Sequence, residues 1–326
     1  MKAIVYTEYG TPDVLQVKEV EKPCLKDDEI LIRVHAAEVT KADCEMRSFR
    51  FQVKWFWLPL RITLGIIKPK RKILGGYFAG EVASVGKNVT RFNKGDQVFG
   101  SARLRLGAHG EYICLPAHYT LVPKPHNLNY EHAAAVPLGG LNALHFIRLA
   151  RIQQGEQVLV NGAGGSIGTF GVQIAKTMGA EVTAVDSGIK EQLLRRLGAD
   201  HFIDYNKEDF TKSGRTYDVI FNMVANTSYS GCVKALKSGG RYLMANPRLL
   251  DMLRSLLTTK FSEKTAVFAF AKETDEELLT LKQMLEEGKI QSTVDKVYSF
   301  EQAAEAHRRV ETEQRLGTVI ISAQQA

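Results

Sequence analysis

The chain has 326 residues, 44% of them apolar and 24% charged, enough for one or two packed cores and outside the range of disordered or collagen-like chains. The formal charge of +7 is local: residues 47–72 hold eight basic side chains and no acid, and without them 35 basic residues face 36 acidic ones. A protein positive over its whole surface, as a general nucleic-acid binder is, is therefore excluded.

The first eight residues lack the apolar core and cleavage site of a secretory signal. No stretch reaches the roughly 18 apolar residues of a membrane span. The four cysteines, Cys24, Cys44, Cys114 and Cys232, form no CxxC pair, so a reducing cytoplasm is the expected setting. Up to about Pro125 the pattern is short and strand-like, with strands expected over residues 3–6, 29–36, 80–85 and 97–99, punctuated by Gly86-Lys87-Asn88 and Asn93-Lys94-Gly95-Asp96 turns. From 157 to 271 strands and helices alternate: strands at 157–161, 181–186, 201–205, 218–224, 241–245 and 266–270, with helices at 167–178 and 190–197 each stopped by glycine. Repeated βα units imply a doubly wound parallel sheet. A helix at 275–287, a strand at 293–298, a helix at 300–311 and a strand at 318–322 return to complete the first domain, giving domains of 1–125 plus 272–326 and of 126–271.

The sharpest local signal is Val158-Leu159-Val160-Asn161-Gly162-Ala163-Gly164-Gly165-Ser166-Ile167-Gly168. A strand runs into a glycine cluster that opens a helix, as dinucleotide binding requires. The turn needs unusual backbone angles, the pyrophosphate must approach a main chain bare of Cβ atoms, and the helix N-terminus supplies free N–H groups and partial positive charge. Residues Gly162, Ala163, Gly164, Gly165, Ser166, Ile167 and Gly168 are the expected cradle; a tight turn without a ligand is the plain alternative. The next strand ends in Asp186, where an acid would bond the ribose hydroxyls and favour NADH by repelling a 2′-phosphate. Ser187 and Lys190 behind it are placed to suit that phosphate instead, and Tyr205 to stack on adenine. A solvated surface charge is the plain reading of Lys190.

Further stretches carry an end-to-end resemblance: Met1-Lys2-Ala3-Ile4 with Gly10, Ala36-Ala37-Glu38-Val39-Thr40-Lys41-Ala42-Asp43, Gly75-Gly76-Tyr77-Phe78-Ala79-Gly80-Glu81-Val82, Gly95-Asp96-Gln97-Val98-Phe99-Gly100, Ala133-Ala134-Ala135-Val136-Pro137-Leu138-Gly139-Gly140 and Leu197-Gly198-Ala199-Asp200-His201-Phe202-Ile203-Asp204-Tyr205. In this order they resemble the medium-chain dehydrogenase/reductase superfamily, and within it the zinc-independent quinone oxidoreductase branch. The resemblance implies an α/β fold in which a Rossmann doubly wound sheet joins a GroES-like, barrel-type catalytic domain.

It also implies the chemistry. Zinc-dependent relatives carry a cysteine where this chain has Thr40 and a histidine where it has Gly76, so no metal is expected. Without a Lewis acid the hydride acceptor must already be electrophilic: a quinone or an α,β-unsaturated carbonyl, a small lipophilic substrate. Thr40 matches the position beside the nicotinamide. Asp43 is the nearest proton donor by position, although holding the loop from Glu38 to Cys44 is its plainer role. Asn142, Asn222, Ala245, Asn246 and Phe268 fall near the cofactor by the same matching. With Ser187, Lys190 and Tyr205 the resemblance favours NADPH over NADH. A homodimer formed through the strand near 266–270 is expected. The alternative function is a non-catalytic nucleotide-binding or membrane-associated member of the same fold.

Residues 47–72 stand apart. They hold Trp55 and Trp57, with Phe49, Phe51 and Phe56 among basic residues, just before Leu74-Gly75-Gly76. Three readings stay open: a helix-like excursion with aromatics packed and lysines reaching outward, a lid over a lipophilic acceptor, or weak contact with an anionic membrane surface. Single-stranded nucleic acid also suits basic aromatic segments, but the balance of the remaining chain argues against it.

Overall fold

The computed structural model describes residues 1–51, 53 and 57–323. β1 (Lys2–Val5) and β2 (Gln16–Glu19) form an antiparallel ribbon. The long β3 (Glu29–Val39) leads into α1 (Lys41–Ser48), which Thr40 and Asp43 start with a reciprocal capping box. After α2 (Trp57–Leu64) come β4 (Tyr77–Val85), β5 (Gln97–Ser101), β6 (Tyr112–Pro116) and β7 (Leu121–Pro123). β3 continues past the expected end at Ala36 and takes Glu38 into the sheet, which corrects the expectation that Glu38 opens a loop. The cause is a partner from the far end of the chain, invisible to local pattern, that pairs along residues 36–39.

The second half begins with α3 (Tyr130–Ala134) and α4 (Pro137–Ala150). Gly139 weakens intrinsic helix propensity but is required by packing, because a Cβ there would lie 2.3 Å from the Ser166 carbonyl of the neighbouring helix. Then β8 (Gln157–Asn161), α5 (Ser166–Thr177), β9 (Glu181–Asp186), α6 (Glu191–Arg196), β10 (His201–Asp204), β11 (Tyr217–Asn222), α7 (Tyr229–Lys234), β12 (Leu236–Met244), α8 (Leu249–Phe261) and β13 (Thr265–Phe268) follow. Six parallel strands lie in the order β10-β9-β8-β11-β12-β13. Val158, Leu159, Val160, Ile220 and Phe221 are fully buried in its middle, as expected of strands covered on both faces. The strand order reverses between β8 and β11, the place where such sheets collect ligands at the carboxyl ends of their strands.

The chain then returns: α9 (Asp275–Glu286), β14 (Val294–Tyr298), α10 (Ala303–Glu311) and β15 (Thr318–Ser322). β15 pairs with β3, completing a seven-stranded sheet in the order β14-β15-β3-β4-β5-β7 with β6 on β3. Two domains result, a Rossmann domain and a GroES-like domain.

Candidate active site

The carboxyl end of β8 turns at Gly162, whose φ of +84° is a left-handed conformation that glycine adopts without strain. A Cβ on Gly168 would lie 2.4 Å from the Gly162 carbonyl oxygen, so α5 packs directly on the turn; on Gly165 it would meet only that oxygen, at 3.6 Å. The outer face of Gly165 is thus the open side of the cradle. Ser166 begins α5, whose first N–H groups have no partner within the helix.

Asp186 does not face the ribose freely. Its carboxylate accepts from the Gly164 N–H (2.7 Å) and the Ser187 N–H (2.8 Å) and pairs with the Lys190 ammonium at 2.9 Å. Both side chains are buried, Lys190 to 3% exposure, which corrects the reading of Lys190 as a solvated charge: its alkyl chain lies over Gly164 and its ammonium needs the carboxylate to be buried at all. Tyr205, 56% exposed at the end of β10, lies within hydrogen-bonding reach of Ser187.

At the other strand ends the side chains brace one another. Asn222 accepts from the Asn161 amide (2.8 Å) and donates to Tyr242 (3.0 Å) and to the Val224 carbonyl (3.1 Å). Asn246 donates to the Met223 carbonyl at 3.0 Å. Ala245 and Phe268 are half-buried beside them. Asn142 donates to Leu138 within its own helix, so its amide N–H₂ is already engaged.

The catalytic domain supplies the facing wall. Asp43, 1% exposed, accepts from the Thr40 N–H (2.8 Å), the Thr40 hydroxyl (2.6 Å) and the Gly75 N–H (3.0 Å). Three donors hold its carboxylate and fix the Gly75-Gly76 strand against α1. Gly76 is buried, and a Cβ there would rest in ordinary contact with the Arg103 carbonyl at 3.8 Å and a Leu106 methyl at 4.0 Å, so the position where zinc-dependent relatives carry histidine offers no donor atom. Tyr77 donates to Glu273 (2.7 Å), as does Ser101 (2.7 Å); burial and the Glu273 charge hold the Tyr77 hydroxyl well above the usual tyrosine range. The Glu273 carbonyl accepts from Arg103 and Thr120, and Asp275 accepts from the Leu121 N–H at 3.1 Å. These bonds join the returning segment to the segment leaving the first sheet. Among the described residues no three His, Cys, Asp or Glu side chains converge as a metal site would need.

Sequence reasoning missed the interdomain charges. Glu38, fully buried, accepts from the Ser166 hydroxyl at 2.7 Å, and its second oxygen has no partner among the described residues. Burial pushes its carboxyl up to about 8, with Ser166 and Arg315 pulling the other way. Arg315 is 6% exposed, and its Nε and one terminal nitrogen are likewise unpartnered among the described residues. Lys41 pairs with Glu313, a carboxylate that also feels Arg315 and Lys190. An acid inside the apolar run Ala36-Ala37-Glu38-Val39 was the available signal for Glu38; for Arg315 there was none. A buried guanidinium whose charge is felt by Glu38, the partner of Ser166, has the chemistry to take an anionic group such as a pyrophosphate. A concavity of about 740 Å³ lined by Gln173, Lys176 and Arg196 lies toward the far end of α5 and holds none of these residues.

This arrangement defines a two-domain nucleotide-binding oxidoreductase. Residues 26–126 match the alcohol dehydrogenase GroES-like domain and residues 197–321 the zinc-binding dehydrogenase domain. The chain is 31% identical to the pig quinone oxidoreductase over 95% of its own length and 94% of that protein. It is 30% identical to the Arabidopsis thaliana NADPH-dependent alkenal/one oxidoreductase, chloroplastic, over 98% and 79% of the two. The structure of the quinone oxidoreductase from Coxiella burnetii superposes with a TM-score of 0.88 at 27% identity, covering 99% of each chain. The chain belongs to the medium-chain dehydrogenase/reductase superfamily, in its quinone oxidoreductase branch.

Proposed function

We propose that the protein is a zinc-independent, NADPH-preferring reductase of quinones or α,β-unsaturated carbonyls. The observation that carries this is the donor set around Asp43: where a metal would need ligands stand Thr40 and Gly76, neither a metal-binding side chain, and the Asp43 carboxylate is engaged by three protein donors. A bound reduced nicotinamide supplies the hydride. The glycine cradle and Arg315 would hold its pyrophosphate, and Ser187, Lys190 and Tyr205 would surround the adenosine end. Lys190 supports the NADPH preference, since its pairing with Asp186 neutralises the charge that would repel a 2′-phosphate. Asp43 is a positioning residue, and the Thr40 hydroxyl, which donates to it, would stand beside the nicotinamide. Asn222, Ala245, Asn246 and Phe268 would border the nicotinamide side.

The same reading divides the chain at residues 125 and 272, supported by the two sheets drawing on these segments. It takes β13, whose outer edge has no partner strand among the described residues, as the seam of a homodimer. The four free cysteines agree with a reducing cytoplasm. The test is NADPH oxidation with a panel of quinones and enones. Turnover with one of these classes is the expected result. NADPH binding without turnover across the panel would favour the non-catalytic reading, and absence of nucleotide binding would defeat both.

A further inference from the structure

Helix α2 is turned inside out. Its one charged residue, Arg61, points into the protein, with the guanidinium carbon 4.1 Å from the Phe49 ring centre and 4.8 Å from that of Tyr9. Trp57, Leu58 and Ile62, with Ile66 and Ile67 just beyond the helix, face solvent instead, Ile67 to 82%. The orientation is fixed from below. Leu64 is buried, the Tyr9 hydroxyl donates to the Gly65 carbonyl (2.8 Å), and the Lys70 N–H donates to the Leu64 carbonyl (2.7 Å).

The rim of this apolar tip is cationic. Arg50, Lys68, Lys70, Arg71 and Lys72 are exposed, and residues 47–72 contain no acid. Arg47 is not part of that rim, being buried and paired with Glu311, and Lys54, Trp55 and Phe56 lie outside the described residues. The expected packing of aromatics with basic residues outward thus holds for Phe49 and Phe51, is reversed at Arg61, and is divided at Trp57, whose ring meets that of Phe49 edge-on while 46% of the residue stays exposed. An apolar tip encircled by lysine and arginine complements a bilayer whose acyl boundary lies beneath anionic headgroups. An aqueous lid would instead turn its isoleucines inward.

We propose that α2 and the segment to Lys72 dock on an anionic phospholipid surface, with Trp57, Leu58, Ile62, Ile66 and Ile67 entering the headgroup boundary and the cations meeting lipid phosphates and carboxylates. One packed cluster joins the docking face to the wall at Gly76. Phe49 and Leu64 share a packed cluster with Leu74 and Leu106, and a Leu106 methyl lies 4.0 Å from where a Gly76 Cβ would stand.

The test is co-sedimentation of the full chain with phosphatidylcholine vesicles, neutral or containing about 30% phosphatidylserine, at low and high salt. Binding is expected to the anionic vesicles and to weaken with salt. Ile66→Ser/Ile67→Ser and Lys68→Glu/Arg71→Glu should each lower the partition coefficient at least tenfold, about 1.4 kcal/mol, with thermal melting unchanged because all four residues are exposed. Absence of binding, equal binding to neutral vesicles, or variants that bind like the parent would overturn the proposal. So would a dimer, seen by sedimentation equilibrium, that the isoleucine variant dissolves, since the tip would then be a self-interface.

Discussion

The hydroxyl of Ser166, the first residue of the cofactor helix, donates at 2.7 Å to Glu38, a fully buried acid on the central strand of the other domain. The domains thus meet through a protonatable group at the cradle itself. The folded protein binds this proton more tightly than the unfolded chain does, because burial raises the carboxyl from 4.5 to about 8. The stability it supports is complete below pH 4.5 and lost as pH rises to about 8. The denaturation free energy should therefore fall by a few kcal/mol across that window, and Glu38→Gln should flatten the fall and be the more stable form at the alkaline end. Urea titrations at several pH values check this; parallel profiles for the two proteins would refute it.

Asp186 and Lys190 predict unequal effects on the two nucleotides. Lys190→Ala leaves the carboxylate without its cation, so NADPH affinity should fall at least about tenfold while NADH changes little. Asp186→Ala removes the acceptor that holds the Gly164 and Ser187 N–H groups, and both nucleotides should weaken together. Fluorescence titration of each nucleotide against each variant decides the matter; a Lys190→Ala variant that loses both equally would show that no phosphate is read there.

Gly165→Val places a branched side chain on the open face of the cradle. Nothing but the Gly162 oxygen stands within 4 Å of the new Cβ, so the fold should persist while nucleotide affinity falls at least about tenfold, near 1.4 kcal/mol. Arg315→Ala should lower it by a comparable factor from the opposite side. Binding measured by calorimetry, alongside an unchanged melting curve, is the check.

Metal analysis should find no stoichiometric zinc in the purified protein, and chelators should leave its reductase activity intact. About one zinc per chain with activity lost to chelation would contradict the roles given to Thr40 and Gly76.

Much of this architecture is legible in the sequence, for reasons visible at particular residues. Strands β8 and β9 are apolar runs stopped by glycine or acid, and their limits, 157–161 and 181–186, coincide with expectation. The cradle announces itself through Gly162 to Gly168 because Gly162 and Gly168 answer demands within the turn itself, a left-handed backbone angle and a carbonyl oxygen 2.4 Å from a would-be Cβ. What escaped notice depends on partners distant in the chain. The end of β3 is set by β15, Gly139 of α4 by α5 and Gly140 by Leu281 of α9, and the inward Arg61 by Phe49 and Tyr9. Arg315 looks like any surface arginine until the fold buries it within reach of Glu38 and Glu313, and Lys190 looks solvated until Asp186 is seen to pair with it.

The chain passes between the domains twice, and at the crossing the two passages are stitched together. Thr120 and Leu121 on the outgoing segment bond to Glu273 and Asp275 on the returning one, and Arg91 adds an ion pair to Asp275 at 2.8 Å. Two tethers lying side by side and bonded to each other behave as a single axis. A motion that admits a nucleotide or releases a product must turn about that axis or rupture it. Glu273 touches the axis through its main-chain carbonyl and, through its carboxylate and Tyr77, the wall beside Gly76, so the angle between the domains and the shape of that wall are tied to the same residue.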